Sequence, residues 1–188
     1  MKRRMKRLLD VALSALALLL LAPVMLAVAL AIALESGRPV LFKQQRVGRG
    51  GREFGLYKFR SMVKDAASIG PYHTATDDPR ITRTGRFIRR TSLDELPQLL
   101  NVLKGEMSLV GPRPDVPAQR TLYAPFDWHA RCSVRPGITG LAQALLRSEA
   151  TPQQRLELDL RYVREQSLGL DLRIAFWTLG RLTGKGSN

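Results

Sequence analysis

An uncharged run of 24 residues, from Val11 to Leu34, limits the folds open to this chain more than any other feature of its sequence. The run consists almost wholly of Ala, Leu, Val, Ile and Met, and as a straight helix it would be about 36 Å long. It can therefore cross the hydrocarbon core of a bilayer, which is about 30 Å thick. A cleaved signal peptide has a similar basic start but usually a shorter apolar core, so we expect a segment that stays in the membrane.

The topology of this segment stays open on the residues alone. A spanning helix concentrates Lys and Arg on its cytoplasmic flank, whereas both flanks are basic here. The basic residues are Lys2, Arg3, Arg4, Lys6 and Arg7 before the segment, and Arg38, Lys43, Arg46, Arg49 and Arg52 after it. Pro23 lies at the centre and favours a kink or break, because it lacks a backbone donor and crowds the preceding turn. Two arms of about 18 Å could enter one leaflet and return, and a single span is equally compatible with these features.

Composition divides the chain after this segment. Residues 1–36 hold the basic N-terminus and the membrane helix, and residues 37–188 have the size of one small domain. The net charge of +14 implies a polyanionic partner, which could be nucleic acid, an anionic membrane surface or phosphorylated substrates. The single cysteine, Cys132, cannot form an internal disulfide, which fits a reducing compartment.

Patterning predicts a small, mainly helical α+β domain. Two short strands are expected at 38–43 and 53–60, with a glycine-rich turn at 48–51 between them, and a long loop is expected over 64–85. The predicted helices cover residues 96–103, 152–166 and 170–182. The last two are amphipathic, and the final one mixes aromatic residues with arginines, which suits a membrane interface as well as packing on the core.

The acidic pair Asp94-Glu95 is the strongest local candidate for chemistry. Ser92 and Glu95 also have the spacing of a helix capping box, so a structural role stays open. In both cases the pair is expected at a helix N-terminus, with the helix start near Asp94 because Pro97 lacks a backbone donor. An ionised carboxylate can attack phosphorus without a general base if cations offset its repulsion from a diphosphate. Mg²⁺ and nearby arginines would supply this charge, and the candidates are Arg86, Arg89, Arg90 and Arg113.

Five motifs occur in the order and with the intervals found in bacterial sugar transferases. They are Lys58 to Met62, Asp78 to Thr82, Thr91 to Gln98, Lys104 to Pro114, and Arg135 to Gly140. From about Lys6 to Leu182 the chain resembles the small monotopic phosphoglycosyl transferases, which are polyprenyl-phosphate sugar-1-phosphate transferases.

This resemblance implies a fold, a location and a reaction. The expected fold is α+β, with a re-entrant membrane helix hairpin broken at Pro23, a catalytic domain over 37–188 and interfacial amphipathic helices. The implied location is the cytoplasmic face of the bacterial inner membrane, among membrane lipids. The implied reaction moves a sugar 1-phosphate from a UDP-sugar to polyprenyl (undecaprenyl) phosphate, releases UMP and passes through a covalent aspartyl intermediate. It would be the first membrane step of glycan or glycoconjugate assembly, and a homodimer stays open.

The resemblance also assigns roles to residues. Asp94 matches the nucleophile and Glu95 matches the residue that assists Mg²⁺ binding, so both are expected at the metal. Arg113 matches a phosphate-binding arginine. The other expected substrate contacts are Lys58, Arg60, Arg89 and Arg135, the last on the nucleotide side.

The chain departs from the family pattern at two positions, and two other classes of function compete with the one that the resemblance implies. Ala22 replaces a serine that often precedes the membrane proline, and Ala142 replaces a common aromatic residue. A membrane-anchored nucleic-acid-binding module is supported only by the charge, and the chain lacks a nucleic-acid reading motif, so no nucleic-acid partner is expected. An inactive membrane scaffold is disfavoured by the intact acidic pair and Arg113.

Overall fold

The computed structural model describes residues 2–69, 78–146 and 151–183, which form one long N-terminal helix and a small α+β domain. The α-helices are α1 (Lys2–Ser36), α2 (Ala66–Ile69), α3 (Arg83–Arg90), α4 (Gln98–Lys104), α5 (Pro125–Arg131), α6 (Leu141–Leu145), α7 (Pro152–Glu165) and α8 (Leu168–Thr183). The strands are β1 (Leu41–Val47), β2 (Glu53–Phe59), β3 (Ser108–Val110) and β4 (Gly137–Thr139). Short 3₁₀ turns cover Arg49–Gly51, Leu93–Glu95 and Pro117–Leu122.

Helix α1 carries the apolar segment. Over Arg4–Ser36 it is long and apolar enough to cross a membrane, and only 11% of its most apolar window is buried against the protein. Pro23 lies inside the helix, which continues on both sides of it. The described backbone is thus one long helix, and the re-entrant hairpin stays a prediction.

The first turns of α1 are fastened to the domain by polar contacts. The Arg7 guanidinium donates to the carbonyl of Val102 at 2.6 Å and to that of Leu103 at 3.0 Å. The buried Asp10 carboxylate accepts from the Ser108 hydroxyl at 2.8 Å and from the Leu109 amide at 3.2 Å. These bonds join the start of the apolar segment to the end of α4 and to β3.

The last turns of α1 are fastened to the same domain. Val28 and Ile32 belong to a buried apolar cluster with Phe59 and Ile88. The Arg60 guanidinium, next along the chain, donates to the carbonyls of Ser36 at 2.8 Å and Gly37 at 2.7 Å. Between the two ends, the middle of α1 exposes leucines such as Leu19 and Leu20.

The predicted β-hairpin is confirmed. Strands β1 and β2 pair antiparallel from Leu41 opposite Phe59 to Val47 opposite Glu53. The first strand starts three residues later than expected and runs on to the glycine-rich turn. Gly50 and Gly51 have φ of +70° and +76°, a left-handed conformation that side chains disfavour, so glycine is required there.

The predicted long loop over 64–85 is only partly right. Helix α2 lies within it, and α3 begins at Arg83, while residues 70–77 fall outside the described part. Thr82 caps α3 by accepting a hydrogen bond from the Gly85 amide. The periodicity gave no signal for α3, because four of its eight residues are arginines and only Phe87 and Ile88 are large and apolar.

Helices α6, α7 and α8 pack over a second small sheet. Strands β3 and β4 pair in parallel, and Val110 of β3 joins Leu141, Tyr162 and Ile174 in the largest buried cluster. The predicted helices at 96–103, 152–166 and 170–182 are confirmed as α4, α7 and α8, and Gly105 at φ +84° ends α4. The outer face of α8 exposes a row of large apolar residues: Leu172, Phe176 and Leu179.

Candidate active site

The acidic pair lies on a short turn between two helices. After α3, Ser92 adopts φ +57°, a left-handed conformation that is uncommon for a residue with a side chain. The chain thereby reverses into the 3₁₀ turn Leu93–Glu95, and α4 follows with Pro97 at its N-cap. The Ser92 side chain makes no capping hydrogen bond, so the capping-box alternative is not formed. The pair precedes a helix as predicted, but the α-helix starts at Gln98 rather than near Asp94, because the pair lies in a 3₁₀ turn before it.

One lysine contacts both carboxylates. The Lys58 ammonium, near the end of β2, lies 2.8 Å from Oε1 of Glu95 and 3.8 Å from Oδ2 of Asp94. The Asp94 side chain is 12% exposed and that of Glu95 is 20% exposed. Charges this far removed from water are screened less than surface charges, so Lys58 acts strongly on both carboxylates.

Glu95 is held from a second side by Arg113. The guanidinium of Arg113 donates through Nη2 to Oε1 of Glu95 at 2.5 Å and through Nη1 to Oε2 at 3.4 Å. Arg113 is two residues beyond Gly111, which follows β3 directly, so the second sheet delivers it to the site. Both oxygens of Glu95 are therefore engaged by cations.

The two carboxylates differ in their acidity. Burial would raise the pKa of Glu95, but its ion pairs with Arg113 and Lys58 outweigh burial and hold that pKa well below the ordinary value. Burial raises the pKa of Asp94, and Lys58 opposes this increase only in part. Glu95 thus stays ionised between Lys58 and Arg113. Asp94 is the more basic carboxylate and, among the described residues, receives no hydrogen bond.

Arg113 is itself positioned by Arg131, a residue that sequence reasoning missed. The buried Arg131 guanidinium donates to the carbonyl of Arg113 at 2.5 Å. It also pairs with Asp115 at 2.6 Å and with Asp159 at 2.8 Å. A lone arginine near the end of a helix is usually a surface residue, and no spacing in the sequence connects it to Asp115 or Asp159.

The other predicted substrate contacts lie in different places. Arg89, on α3, is exposed. Its positive charge opposes the increase in the pKa of Asp94, so it lies near enough to act on the site. Arg60 is buried and directed at the end of α1. The Arg135 side chain donates to the carbonyl of Gly105, at the opposite end of α4 from the carboxylates. The structure therefore brings Lys58, Arg113 and Arg89 to the acidic pair, but not Arg60 or Arg135.

The acidic pair fits a magnesium ion only as a partial ligand set. Within the described ranges, no group of three or more Asp, Glu, His or Cys residues could enclose a metal. Mg²⁺ often takes just one or two protein carboxylates and completes its shell with water and substrate phosphates. Asp94 has oxygens available for this role, whereas Glu95 would have to release Arg113 or Lys58.

The fold and the site define a class of protein. A small α+β domain is joined to one long apolar helix, and the domain holds a largely buried carboxylate pair surrounded by cations. Residues 1–185 match the bacterial sugar transferase family, and the chain belongs to that family.

Curated relatives agree with this membership. The chain is 49% identical over 187 residues to an undecaprenyl-phosphate glucose phosphotransferase of Komagataeibacter xylinus, covering 94% of this chain and 35% of that protein. It is 44% identical over 191 residues to a UDP-N-acetylgalactosamine-undecaprenyl-phosphate N-acetylgalactosaminephosphotransferase of Aeromonas hydrophila, covering 97% of this chain and 44% of that protein. It is 48% identical over 195 residues to the exopolysaccharide production protein PSS of Rhizobium leguminosarum bv. phaseoli, covering 97% of this chain and 98% of that protein. The chain thus spans less than half of the first two relatives and nearly all of the third.

Proposed function

We propose that this protein transfers a sugar 1-phosphate from a UDP-sugar to undecaprenyl phosphate and releases UMP. The observation that carries the proposal is the pair Asp94 and Glu95, clasped by Lys58 and Arg113, in a chain whose relatives bear the names of such transferases. Those names differ in the sugar, glucose in one and N-acetylgalactosamine in the other, so the proposal leaves the sugar open.

The proposed reaction has two displacements at one phosphorus atom. An Asp94 oxygen attacks the phosphorus that carries the sugar, and the bond from that phosphorus to the oxygen bridging it to UMP breaks. UMP leaves with this bridging oxygen, and Asp94 holds the sugar phosphate as an acyl phosphate. An oxygen of undecaprenyl phosphate then attacks the same phosphorus, forming the lipid diphosphate sugar and regenerating the Asp94 carboxylate.

The two carboxylates suit different parts of this reaction. Asp94 has the raised pKa, and a more basic oxygen is a better nucleophile once ionised. Glu95 holds Lys58 and Arg113 beside it through three contacts of 2.5 to 3.4 Å. Cations fixed in this way can meet the negative phosphate oxygens without reorganising during the reaction.

Magnesium belongs to the proposal as the expected cofactor, with Asp94 and Glu95 as its acidic ligands. A bound Mg²⁺ would supply positive charge against the diphosphate. Lys58 supplies part of the same charge from the protein, since it contacts both carboxylates.

We propose that the protein is bound to one leaflet of the bacterial inner membrane. The domain would lie on the cytoplasmic face, and α1 would enter the membrane and return to the same face. Support comes from the contacts at the two ends of α1, because both ends bind the same domain, Arg7 at one end and Ser36 at the other. In a spanning helix one end would lie on the far side of the bilayer. The row of exposed apolar residues on α8 suits the interface of the same leaflet.

The spacing of these contacts also favours a bend in α1. A straight helix from Arg7 to Ser36 would be about 44 Å long. Val102 is the partner of Arg7, and Arg60 is the partner of Ser36. A short path through the domain joins these two partners: it crosses the hydrogen bond between α4 and β2 and then follows the extended chain for three residues, or about 10 Å, to Arg60. This path would reach the length of the straight helix only with every side chain extended in one line. A bend near Pro23 removes that requirement.

The experiment that tests the reaction omits the lipid acceptor. Purified protein with UDP-sugar and Mg²⁺ should gain the mass of one phosphosugar on Asp94 and release about one equivalent of UMP, the burst of a covalent intermediate. Asp94→Asn should eliminate both signals, because the attacking carboxylate is gone. Glu95→Gln should retain a trace of adduct while turnover falls by about 10²-fold, the scale of losing one electrostatic stabiliser.

Glu157→Gln is the matched control, since Glu157 is an exposed carboxylate on α7. It should behave as wild type in both mass and UMP release. An adduct on folded Asp94→Asn would show that another residue is the nucleophile. Transfer to lipid by the wild type with no adduct at any time would instead indicate direct displacement.

A further inference from the structure

A second basic site lies at the end of the domain away from the carboxylates. It is a cavity of about 540 Å³ between the turn that joins β1 to β2 and the C-terminal end of α4. Its charged lining residues are Arg49, Arg52, Glu53, Lys104, Glu106 and Arg135. Four of these six side chains are cationic, and the proposed transfer reaction uses none of the four.

A phosphate in the cavity would lie too far from the acidic pair to react there. Phe54 lines the cavity and Lys58 contacts the carboxylates, and the four steps of extended strand from one to the other span about 13 Å. From Glu95, in the 3₁₀ turn, to Lys104, at the end of α4, the helical path is also about 13 Å. An acceptor phosphate must come within bonding distance of a phosphorus on Asp94, so a phosphate in this cavity is not the reacting one.

Three arginines that line the cavity form no ion pair with any described residue. In the described part of the chain, no carboxylate lies within ion-pair distance of Arg49, Arg52 or Arg135, and Glu106 is bonded to Asn101. Arg49 and Arg135 line the cavity together, and burial and repulsion from Arg7 and Arg49 lower the pKa of Arg135. Such an arrangement is relieved by an anion.

Capping of α4 explains only some of these charges. Arg7 and Arg135 donate to carbonyls at the C-terminal end of α4, where cations are favoured by the helix dipole. Arg49 and Arg52 approach from the β1–β2 turn on the other wall and make no such contact among the described residues. Arg49 and Arg52 thus line the same cavity as Arg135 without an ion-pair partner in the described part of the chain.

The cavity also adjoins the membrane helix. A smaller depression beside it is lined by Lys6 and Asp10 of α1 and shares Arg49 and Arg135 with the cavity. The apolar segment starts at Val11, the next residue of α1 after Asp10. A bilayer that takes up the apolar segment from Val11 onward would place its headgroups beside this depression and the cavity that adjoins it.

We propose that this cavity binds a phosphate-bearing anion at the membrane surface, through Arg49, Arg52 and Arg135. Arginine guanidinium groups match phosphate oxygens in geometry and charge. The phosphate can come from the headgroup of an anionic phospholipid or from free phosphate in the cytoplasm. The proposed phosphate site does not depend on the transfer reaction at Asp94, so either proposal can be refuted without the other.

The test is protection of individual arginines from phenylglyoxal, mapped by peptide mass spectrometry on the full chain in neutral detergent. Separate samples receive phosphatidylglycerol, phosphatidylcholine, inorganic phosphate or no addition. Phosphatidylglycerol at about ten times its dissociation constant should slow modification of Arg49 and Arg135 about tenfold. The exposed Arg120 and Arg164 are the internal controls and should not be slowed. Protection by inorganic phosphate but not by phosphatidylglycerol would support the site with a soluble ligand as its source.

The proposal is overturned if neither phosphate source protects Arg49 and Arg135 more than the control arginines. It is equally overturned if phosphatidylcholine protects as well as phosphatidylglycerol, because lipid coverage rather than anion binding would then be the cause. The variant Arg49→Gln/Arg52→Gln should lose protection at Arg135, and unchanged protection would contradict the shared site. Asp94→Asn should keep full protection, which separates this test from the transfer chemistry.

Discussion

The contact between Lys58 and Asp94 sets the acid side of the pH dependence of the proposed reaction. Asp94 must be ionised to attack, and burial raises its pKa while the Lys58 ammonium at 3.8 Å opposes that increase. Replacing Lys58 with Met removes the opposing charge and leaves the Glu95 anion, which raises the pKa of Asp94 further. Without Lys58, burial and the Glu95 charge both raise the pKa of Asp94. As the pH falls, activity should therefore be lost at a higher pH than in the wild type.

The size of this effect follows from the distance. Two unit charges at 3.8 Å interact by about 1 kcal/mol in water and by about 4 kcal/mol at an effective dielectric constant of about 20. Because about 1.4 kcal/mol corresponds to one pH unit, the acid limb of kcat/KM should move upward by roughly 1 to 3 pH units in Lys58→Met. The maximal rate should fall too, but a lower maximum does not move the limb.

The assay is UMP release from UDP-sugar with undecaprenyl phosphate, measured across pH for both proteins. Lys43→Met is the matched control, because Lys43 is exposed on β1 and its ammonium lies over the Tyr57 ring at 5.9 Å rather than beside a carboxylate. Its acid limb should coincide with that of the wild type. If folded Lys58→Met also keeps the wild-type limb, Asp94 is not the titrating group that Lys58 stabilises, and the assignment of the nucleophile fails.

Three further predictions concern the metal, the topology and the support of the site. Excess EDTA should abolish UMP release and Mg²⁺ should restore it, since carboxylates must meet a diphosphate; full turnover in chelator would remove the metal from the reaction. In a Cys132→Ser background, Lys2→Cys and Arg38→Cys should both resist an impermeant periplasmic thiol reagent, and labelling of one alone would establish a span. Asp159→Asn should lower the free energy of unfolding by about 3 kcal/mol, because it removes one partner of the buried Arg131. Urea denaturation in detergent measures this, and unchanged stability would contradict a role for the pair.

The elements predicted correctly are those whose signal lies within a short stretch of sequence. The hairpin of β1 and β2 has two apolar runs on either side of glycines that must adopt positive φ. Helix α4 has apolar periodicity and ends at Gly105, while α7 begins at a threonine cap. The acidic pair stands out because its neighbours in the chain form a motif. Each of these signals is local, so one sequence suffices to detect it.

The elements that were missed depend on contacts between distant parts of the chain. Strands β3 and β4 have three residues each and are stabilised by pairing with each other across 26 intervening residues, which no local period reveals. Arg131 has no local signal either, since its three partners come from two other segments. Arg60 and Arg135 lie in family motifs, and Arg60 is two residues from Lys58 in the sequence. Their side chains nevertheless turn toward α1 and the end of α4, because a motif fixes the neighbourhood of a residue but not the direction of its side chain.

Helix α1 is part of the support of the candidate site. Asp10 of α1 binds both the side chain of Ser108 and the backbone of β3, and Lys6 donates to the carbonyl of Val110 at 3.2 Å, the last residue of that strand. Three residues further on, Arg113 clasps Glu95. A carboxylate such as Asp10 is buried at a cost unless it is hydrogen-bonded, so its two bonds to the strand fix where α1 meets the domain. A displacement of the start of α1 would therefore act on the strand that delivers Arg113, so the position of α1 and the geometry of the candidate site are coupled through that strand.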